Sequence, residues 1–226
     1  MENIMRTEGI KKAFRVGNED FYALRGVDIG IPKGALTILK GRSGSGKTTL
    51  LNILSTLDAP TQGDVFYNGK SYSVLTERDK ERMRRQEIGF IFQSVALIPM
   101  MNAYENIDFA LKVAEKKGDH EARIKEVLEL VGMEKRMYHM PGQMSGGEQQ
   151  RIAIARAVVH KPKILFADEP TGALDTENGL AVMQLFKSLT ESEGVTIVMT
   201  THDSNLMSYG DVVYELEDGE VINGRE

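Results

Sequence analysis

The segment Gly41-Arg42-Ser43-Gly44-Ser45-Gly46-Lys47-Thr48 narrows the possible folds of this chain more than any other. It has the form G-x-x-x-x-G-K-[ST], and its flanks give that form meaning. Upstream, Ala35 to Lys40 reads as a short apolar strand. Downstream, Thr48 to Leu57 carries apolar residues at 50, 53, 54 and 57, the i, i+3, i+4, i+7 spacing of one helix face. A strand that turns through glycines into a helix makes a concave backbone nest. Its N–H groups point at phosphate oxygens, and the helix start adds its positive end. In this setting Lys47 is placed to reach β- and γ-phosphates and Thr48 to ligate Mg2+.

A second apolar strand, Ile164-Leu165-Phe166-Ala167, runs into the adjacent carboxylates Asp168 and Glu169. Strand alternation sends neighbouring side chains to opposite faces, so the two acids can hold different jobs. Beside a phosphate loop, Asp168 suits the orientation of Mg2+ and its waters, and Glu169 the positioning or deprotonation of an attacking water. The segment Ser145-Gly146-Gly147-Glu148 reads first as a capping box ahead of an apolar helix. Two consecutive glycines weaken a plain cap, each costing about 0.8–1 kcal/mol relative to Ala in a helical turn. Bare N–H groups at a helix start hold anions, so the glycines favour a second phosphate-binding surface that is compatible with the cap.

Around these segments strands alternate with amphipathic helices in an α/β pattern. Ile88 to Phe92 reads as a strand ending at Gln93, and Val195 to Thr200 as another. Between about 94 and 162 the pattern is helical. Asn102 and Glu105 start one helix, with Gly118 as its exit signal; Ile124, Val127, Leu128 and Val131 line a second, with Gly132 past its end. A third runs from Ser145 to about His160, a further helix spans Thr176 to Ser192, and the acidic tail reads as turns.

Composition sets the outer limits. The 226 residues carry 28 Lys and Arg against 33 Asp and Glu, and the net charge of −5 weighs against a nucleic-acid partner, which needs clustered cations. There is no Cys, which suits a reducing compartment, and no apolar h-region in the first residues to form a secretory signal. The longest apolar run, Val95 to Met101, has seven residues with Pro99 inside it. That is far short of the roughly 20 needed to cross a bilayer.

In order along the chain stand the glycine loop, Gln93, Met144-Ser145-Gly146-Gly147-Glu148-Gln149-Gln150-Arg151, Asp168-Glu169-Pro170 and His202. Over nearly its whole length the chain thereby resembles ABC ATPase domains. The resemblance implies a single domain, 1–226, with a P-loop core of mostly parallel sheet, an N-terminal antiparallel β subdomain, and residues 94–162 as an inserted helical subdomain. It implies ATP and Mg2+ as ligands. Gly41, Arg42, Ser43, Gly44, Ser45, Gly46, Lys47, Thr48 and Thr49 would hold the phosphates. Thr48, Gln93 and Asp168 would serve the metal, with Gln93 also sensing the γ-phosphate, and Glu169 and His202 the chemistry. Ala173-Leu174-Asp175 would be the D-loop.

In that family two copies pack head to tail, so Ser145, Gly146 and Gly147 would contact the γ-phosphate held by the other copy of a homodimer. For the aromatic that stacks on adenine, Phe14 is favoured, Tyr22 is its competitor, and Phe21 is read as core. Met144 and Glu148 stand where Leu and Gln are commoner in the signature, which bears on the fine geometry of that contact.

Glu169-Pro170-Thr171-Gly172-Ala173-Leu174-Asp175 and Thr56-Leu57-Asp58 resemble the ATPases of macrolide export, lipoprotein release and cell division. The implied function is an ATPase subunit that drives a separate membrane permease. It would be cytoplasmic and held at the inner face of the membrane by that permease, which would dock near Gln93 to Met101. About half of that apolar run is expected in the core. The alternative is a regulatory or mechanical ATPase whose membrane partner transmits force. A nucleic-acid or ribosome ATPase is disfavoured by the short spacing between Lys47 and Ser145, and a GTPase by the lack of an Asn-Lys-x-Asp motif.

Overall fold

The computed structural model describes every residue except Met1, Asn18 and Glu226, with Val16 and Arg225 described as backbone only. Among the described residues, eleven strands and six α-helices follow one another as β1 (Asn3–Val16), β2 (Glu19–Val27), β3 (Gly30–Pro32), β4 (Leu36–Lys40), α1 (Lys47–Leu54), β5 (Gln62–Tyr67), β6 (Lys70–Ser71), α2 (Glu77–Gln86), β7 (Ile88–Ile91), α3 (Ala103–Val113), α4 (His120–Leu130), α5 (Gly146–Val158), β8 (Ile164–Ala167), α6 (Thr176–Ser192), β9 (Thr196–Thr201), β10 (Val212–Glu217) and β11 (Glu220–Arg225).

Two sheets divide the strands. The first is antiparallel, in the order β2-β1-β5-β6, with β3 also paired to β1. The second has the order β11-β10-β4-β9-β8-β7 and is parallel except for β11 at its edge. This mixed α/β architecture matches the expected fold class. The parallel strands are buried on both faces, so alternate residues enter different cores. Leu165 and Ala167 join a cluster with α3, α4, α5 and α6 residues, whereas Ile164 and Phe166 join one with α1 and the antiparallel sheet. That parity matters for the site. Asp168 continues the Ile164, Phe166 row, and so lies on the α1 side.

Four local expectations are corrected. Helix α1 ends at Leu54, and Leu57, expected on its apolar face, is half exposed beyond it. Thr56 takes a left-handed conformation, Leu57 N donates back to Asn52 O at 2.8 Å, and Arg84 Nη1 holds Thr56 O at 2.8 Å. Helix α3 stops at Val113, ahead of Gly118. Glu115 itself adopts the left-handed C-terminal position at φ 53°, with Lys116 N bonded to Leu111 O and Glu115 N to Lys112 O.

The acidic tail is not merely turns. Val212, Tyr214 and Leu216 alternate into the core and seat β10 directly beside β4, with Asp218 and Gly219 at positive φ joining it to β11. Finally, none of Val95 to Met101 is fully buried. Leu97 packs partly on the helical core, while Met100 is 85% exposed.

Candidate functional site

The phosphate loop is held where only glycine fits. A Cβ on Gly41 would overlap Leu216 O of β10, and one on Gly46, which sits at φ 101°, would stand 2.6 Å from Ala23 O of β2. The loop is therefore pinned between the two sheets. Gly46 is the N-cap of α1 and brings no side-chain cap, leaving the first amides of that helix free for a ligand.

Lys47 is buried at 4% exposure, its Nζ donating to Gly41 O at 2.8 Å and Arg42 O at 2.9 Å. Burial holds its pKa below the usual lysine value, and the carboxylates of Glu169 and Asp168 act in the opposite sense. Arg42, Ser43, Gly44, Gly46, Lys47, Thr48 and Thr49 line one cleft of about 780 Å³. Gly41 and Ser45 lie beneath it, both buried.

The two strand-end acids separate as their positions demand. Asp168 Oδ1 accepts from Thr48 Oγ1 at 3.1 Å and from Thr200 Oγ1 at 2.7 Å. Glu169 follows the strand at φ 44° and turns its carboxylate into the cleft. There Oε1 stands 3.9 Å from Lys47 Nζ, and Oε2 accepts from Gln93 Nε2 at 3.4 Å and lies 3.5 Å from His202 Nδ1. Gln93, Glu169 and His202 thus meet, although they come from the ends of three different segments.

At the far end of the cleft, Phe14 and Phe21 are cross-strand partners in β1 and β2, and both line it. Tyr22 does not line the cleft, since the next residue along a strand points to the other face. Phe21, expected in the core, is 56% exposed. A sequence signal for it existed. The Gly17-Asn18 dipeptide between two strand-like runs fits a two-residue hairpin, which sets Phe14 opposite Phe21. Thr200 was also missed as anything but a strand end; only the β8–β9 register, Ala167 opposite Met199, brings it to Asp168.

Ser145, Gly146 and Gly147 are not among the residues that line the cleft. Ser145 and Glu148 form the expected capping box at the start of α5, and Glu148 also pairs with Arg136 at 2.9 Å. The two glycines differ. Gly146 faces open space, whereas a Cβ on Gly147 would stand 2.8 Å from Asn178 Oδ1. One of the two therefore has a packing reason that helix propensity alone did not reveal.

A cleft of this construction belongs to the P-loop nucleoside triphosphatases. Comparison with known proteins narrows it. The family model described as ABC transporter matches residues 24–172. The sequence is 41% identical over 224 residues to the macrolide export ATP-binding/permease protein MacB of Wolinella succinogenes, covering 99% of this chain and 35% of that one. It is 38% identical over 225 residues to the lipoprotein-releasing system ATP-binding protein LolD 2 of Rhodopirellula baltica, covering 96% and 88%. An ATP-binding cassette of Methanocaldococcus jannaschii, solved as a dimer in a post-hydrolysis state bound to ADP and Pi, superposes with a TM-score of 0.90 over 98% of each chain at 38% identity. The chain belongs to the ABC transporter family. It is an ATP-binding cassette, the ATPase subunit of a transporter.

The residues present fit ATP with Mg2+. The uncapped start of α1 leaves backbone N–H groups of the loop for phosphate, and Lys47 and Thr48 line the same cleft. Thr48 and Gln93 line the cleft and Asp168 is bonded to Thr48, so together they offer oxygen atoms of the kind that Mg2+ takes alongside substrate phosphates, directly or through water.

Proposed function

We propose that two copies of this chain close head to tail around two ATP molecules, and that hydrolysis at this interface drives a separate membrane permease of the macrolide-export or lipoprotein-release type. One observation carries the reading. The Ser145–Gly147 segment, with its open Gly146, lies apart from the cleft that gathers every other phosphate-binding candidate at its wall or floor. A site that needs both is completed only by a second copy.

Within each site the loop amides and Lys47 bind the β- and γ-phosphates, and Phe14 with Phe21 supplies the face for the base. Bound Mg2+ would offset phosphate charge, held through Thr48 and Asp168 and approached by Gln93. Glu169 accepts the proton of the attacking water, and His202 and Gln93 orient its carboxylate. The short distances from Gln93 and His202 to one Glu169 oxygen support these roles.

The exposed run Val95 to Met101, next to Gln93, is the docking surface for the permease. Among the described residues no helix is long and apolar enough to cross a membrane. That partner holds the subunit at the cytoplasmic face. Relatives named for export and for lipoprotein release favour transport over pure force transmission.

Mixing tests the interface. Lys47→Ala disables the loop and Gly146→Asp the signature, so neither variant alone should hydrolyse ATP. A mixed dimer retains one intact site, and activity should return on combining them. If the mixture stays inactive, each copy carries a complete site by itself and the reading is wrong.

A further inference from the structure

Asn178, in the first turn of α6, is not required by any step described above, yet its side chain is fixed on both sides. Its Nδ2 donates to Asp175 Oδ2 at 2.8 Å and to Oδ1 at 3.1 Å, while the backbone N–H of Asn178 donates to Asp175 Oδ1 at 2.8 Å. Asp175 is thus the N-cap of α6 and the clamp on the Asn178 amide at once. With Nδ2 committed, Oδ1 faces the start of α5, where a Cβ on Gly147 would lie 2.8 Å from it and 2.9 Å from Asn178 Cγ. The back of the signature glycine rests on this amide.

The other end of the clamp leads to the chemistry. The turn from Glu169 to Asp175 is closed by Gly172 N donating to Glu169 O at 3.0 Å and Leu174 N to Thr171 O at 3.0 Å. Six residues after the carboxylate that faces the copy's own cleft comes the carboxylate that orients Asn178. No regular element intervenes, so a shift of this turn would reach Gly147 through the Asp175–Asn178 hydrogen bonds and the packing of the Asn178 amide against Gly147.

We propose that Asn178 is a positioning residue: clamped by Asp175, it sets where Ser145, Gly146 and Gly147 stand, and ties that placement to the turn that carries Glu169. This rests on the reading that the signature segment serves the nucleotide of the other copy. The side chain touches no nucleotide and acts through Gly147. An isolated helix cap would need only the Asp175 oxygen and the Asn178 N–H, and would leave the amide side chain free to vary. Here that amide is the part in contact with α5.

An exchange of the two side chains separates the roles. Asn178→Asp sets two carboxylates against each other and removes the donor. Adding Asp175→Asn restores one amide and one carboxylate across the same gap, with Asn as effective a cap as Asp. Asn178→Asp should lower kcat about 10–100-fold, the cost of a misplaced group at a distance from the reacting atoms, with ATP affinity of the monomer unchanged. The exchanged pair should recover to within about threefold of the unchanged chain.

ATP-induced dimerisation in a Glu169→Gln background supplies the second readout, and should weaken and recover in step. Loss of monomer ATP affinity in Asn178→Asp, equal loss in the single and exchanged variants, or unaltered kcat and dimerisation in Asn178→Asp would overturn the positioning role. Failure of the Glu169→Gln parent itself to dimerise would overturn the head-to-tail reading and this role with it.

Discussion

Thr200 Oγ1 donates to Asp168 Oδ1 at 2.7 Å and accepts from the backbone N–H of Glu169 at 2.9 Å. One hydroxyl at the end of β9 therefore fixes both strand-end acids, the buried one through its side chain and the cleft-facing one through its backbone. Thr200→Val keeps the shape and removes both bonds. Leaving a buried carboxylate oxygen and an amide short of partners should cost about 1–3 kcal/mol, read by urea denaturation. The ATPase rate should fall by at least about tenfold as Glu169 loses its anchor.

The Phe14–Phe21 pair predicts a graded effect on nucleotide affinity. Stacking of a base on an aromatic ring is worth about 1–3 kcal/mol by alanine substitution, so Phe14→Ala should raise KM for ATP about tenfold with kcat little changed. Phe21→Ala should raise it by a smaller factor, and Tyr22→Ala should not move it. Lys12 stiffens the pair: its ammonium lies 5.2 Å from the Phe14 ring centroid, held there by Asp58 at 2.7 Å and Ala59 O at 2.8 Å.

His160 gives the fold an acid limit. Burial pushes its pKa down from 6.5 to about 4, against the partial compensation of its contact with Ile88 O, with Lys116 and Arg123 adding to the depression. The folded state thus binds fewer protons than the unfolded one between about pH 4 and 6.5. Stability from the neutral ring is complete above pH 6.5 and is lost as pH falls through that window, by at most about 3 kcal/mol. His160→Gln can keep a donor for Ile88 O without titrating. Its urea midpoint should change less between pH 7 and pH 4.5 than that of the unchanged chain.

Met100 separates the proposed docking surface from the fold. It is the most exposed large apolar side chain in the run after Gln93, whereas Leu97 packs partly on the helical core. Met100→Asp should abolish co-purification with the permease while leaving ATP affinity and thermal stability as they were. Co-purification at the normal yield would place the interface elsewhere.

Legibility in the sequence followed the range of the interactions involved. The glycine loop, the Asp168-Glu169 strand end and helix α6 depend on neighbours in the chain, and periodicity or spacing shows them. Helix α2 was silent for the same reason: it buries only Met83, so its Glu77–Gln86 sequence has no apolar face to read. The β10 strand was missed because Glu215, Glu217 and Asp218 mask a two-residue alternation whose reward, a place beside β4, is set by tertiary pairing. Asn178 belongs to this second kind, since its amide meets Gly147 on another element. Phe21 does not: the local Gly17-Asn18 hairpin signal was enough to set it opposite Phe14.

In the proposed cycle ATP closes two copies around the nucleotide, and hydrolysis with Glu169 as general base reopens them. Replacing a general base typically costs about 10²–10⁴-fold in rate, so Glu169→Gln should bind ATP and hold it. Sedimentation of that variant with saturating ATP and Mg2+ reads its oligomeric state. A species of twice the 25.2 kDa chain mass, absent without nucleotide, is the predicted result. A monomer that binds ATP and stays a monomer would contradict it.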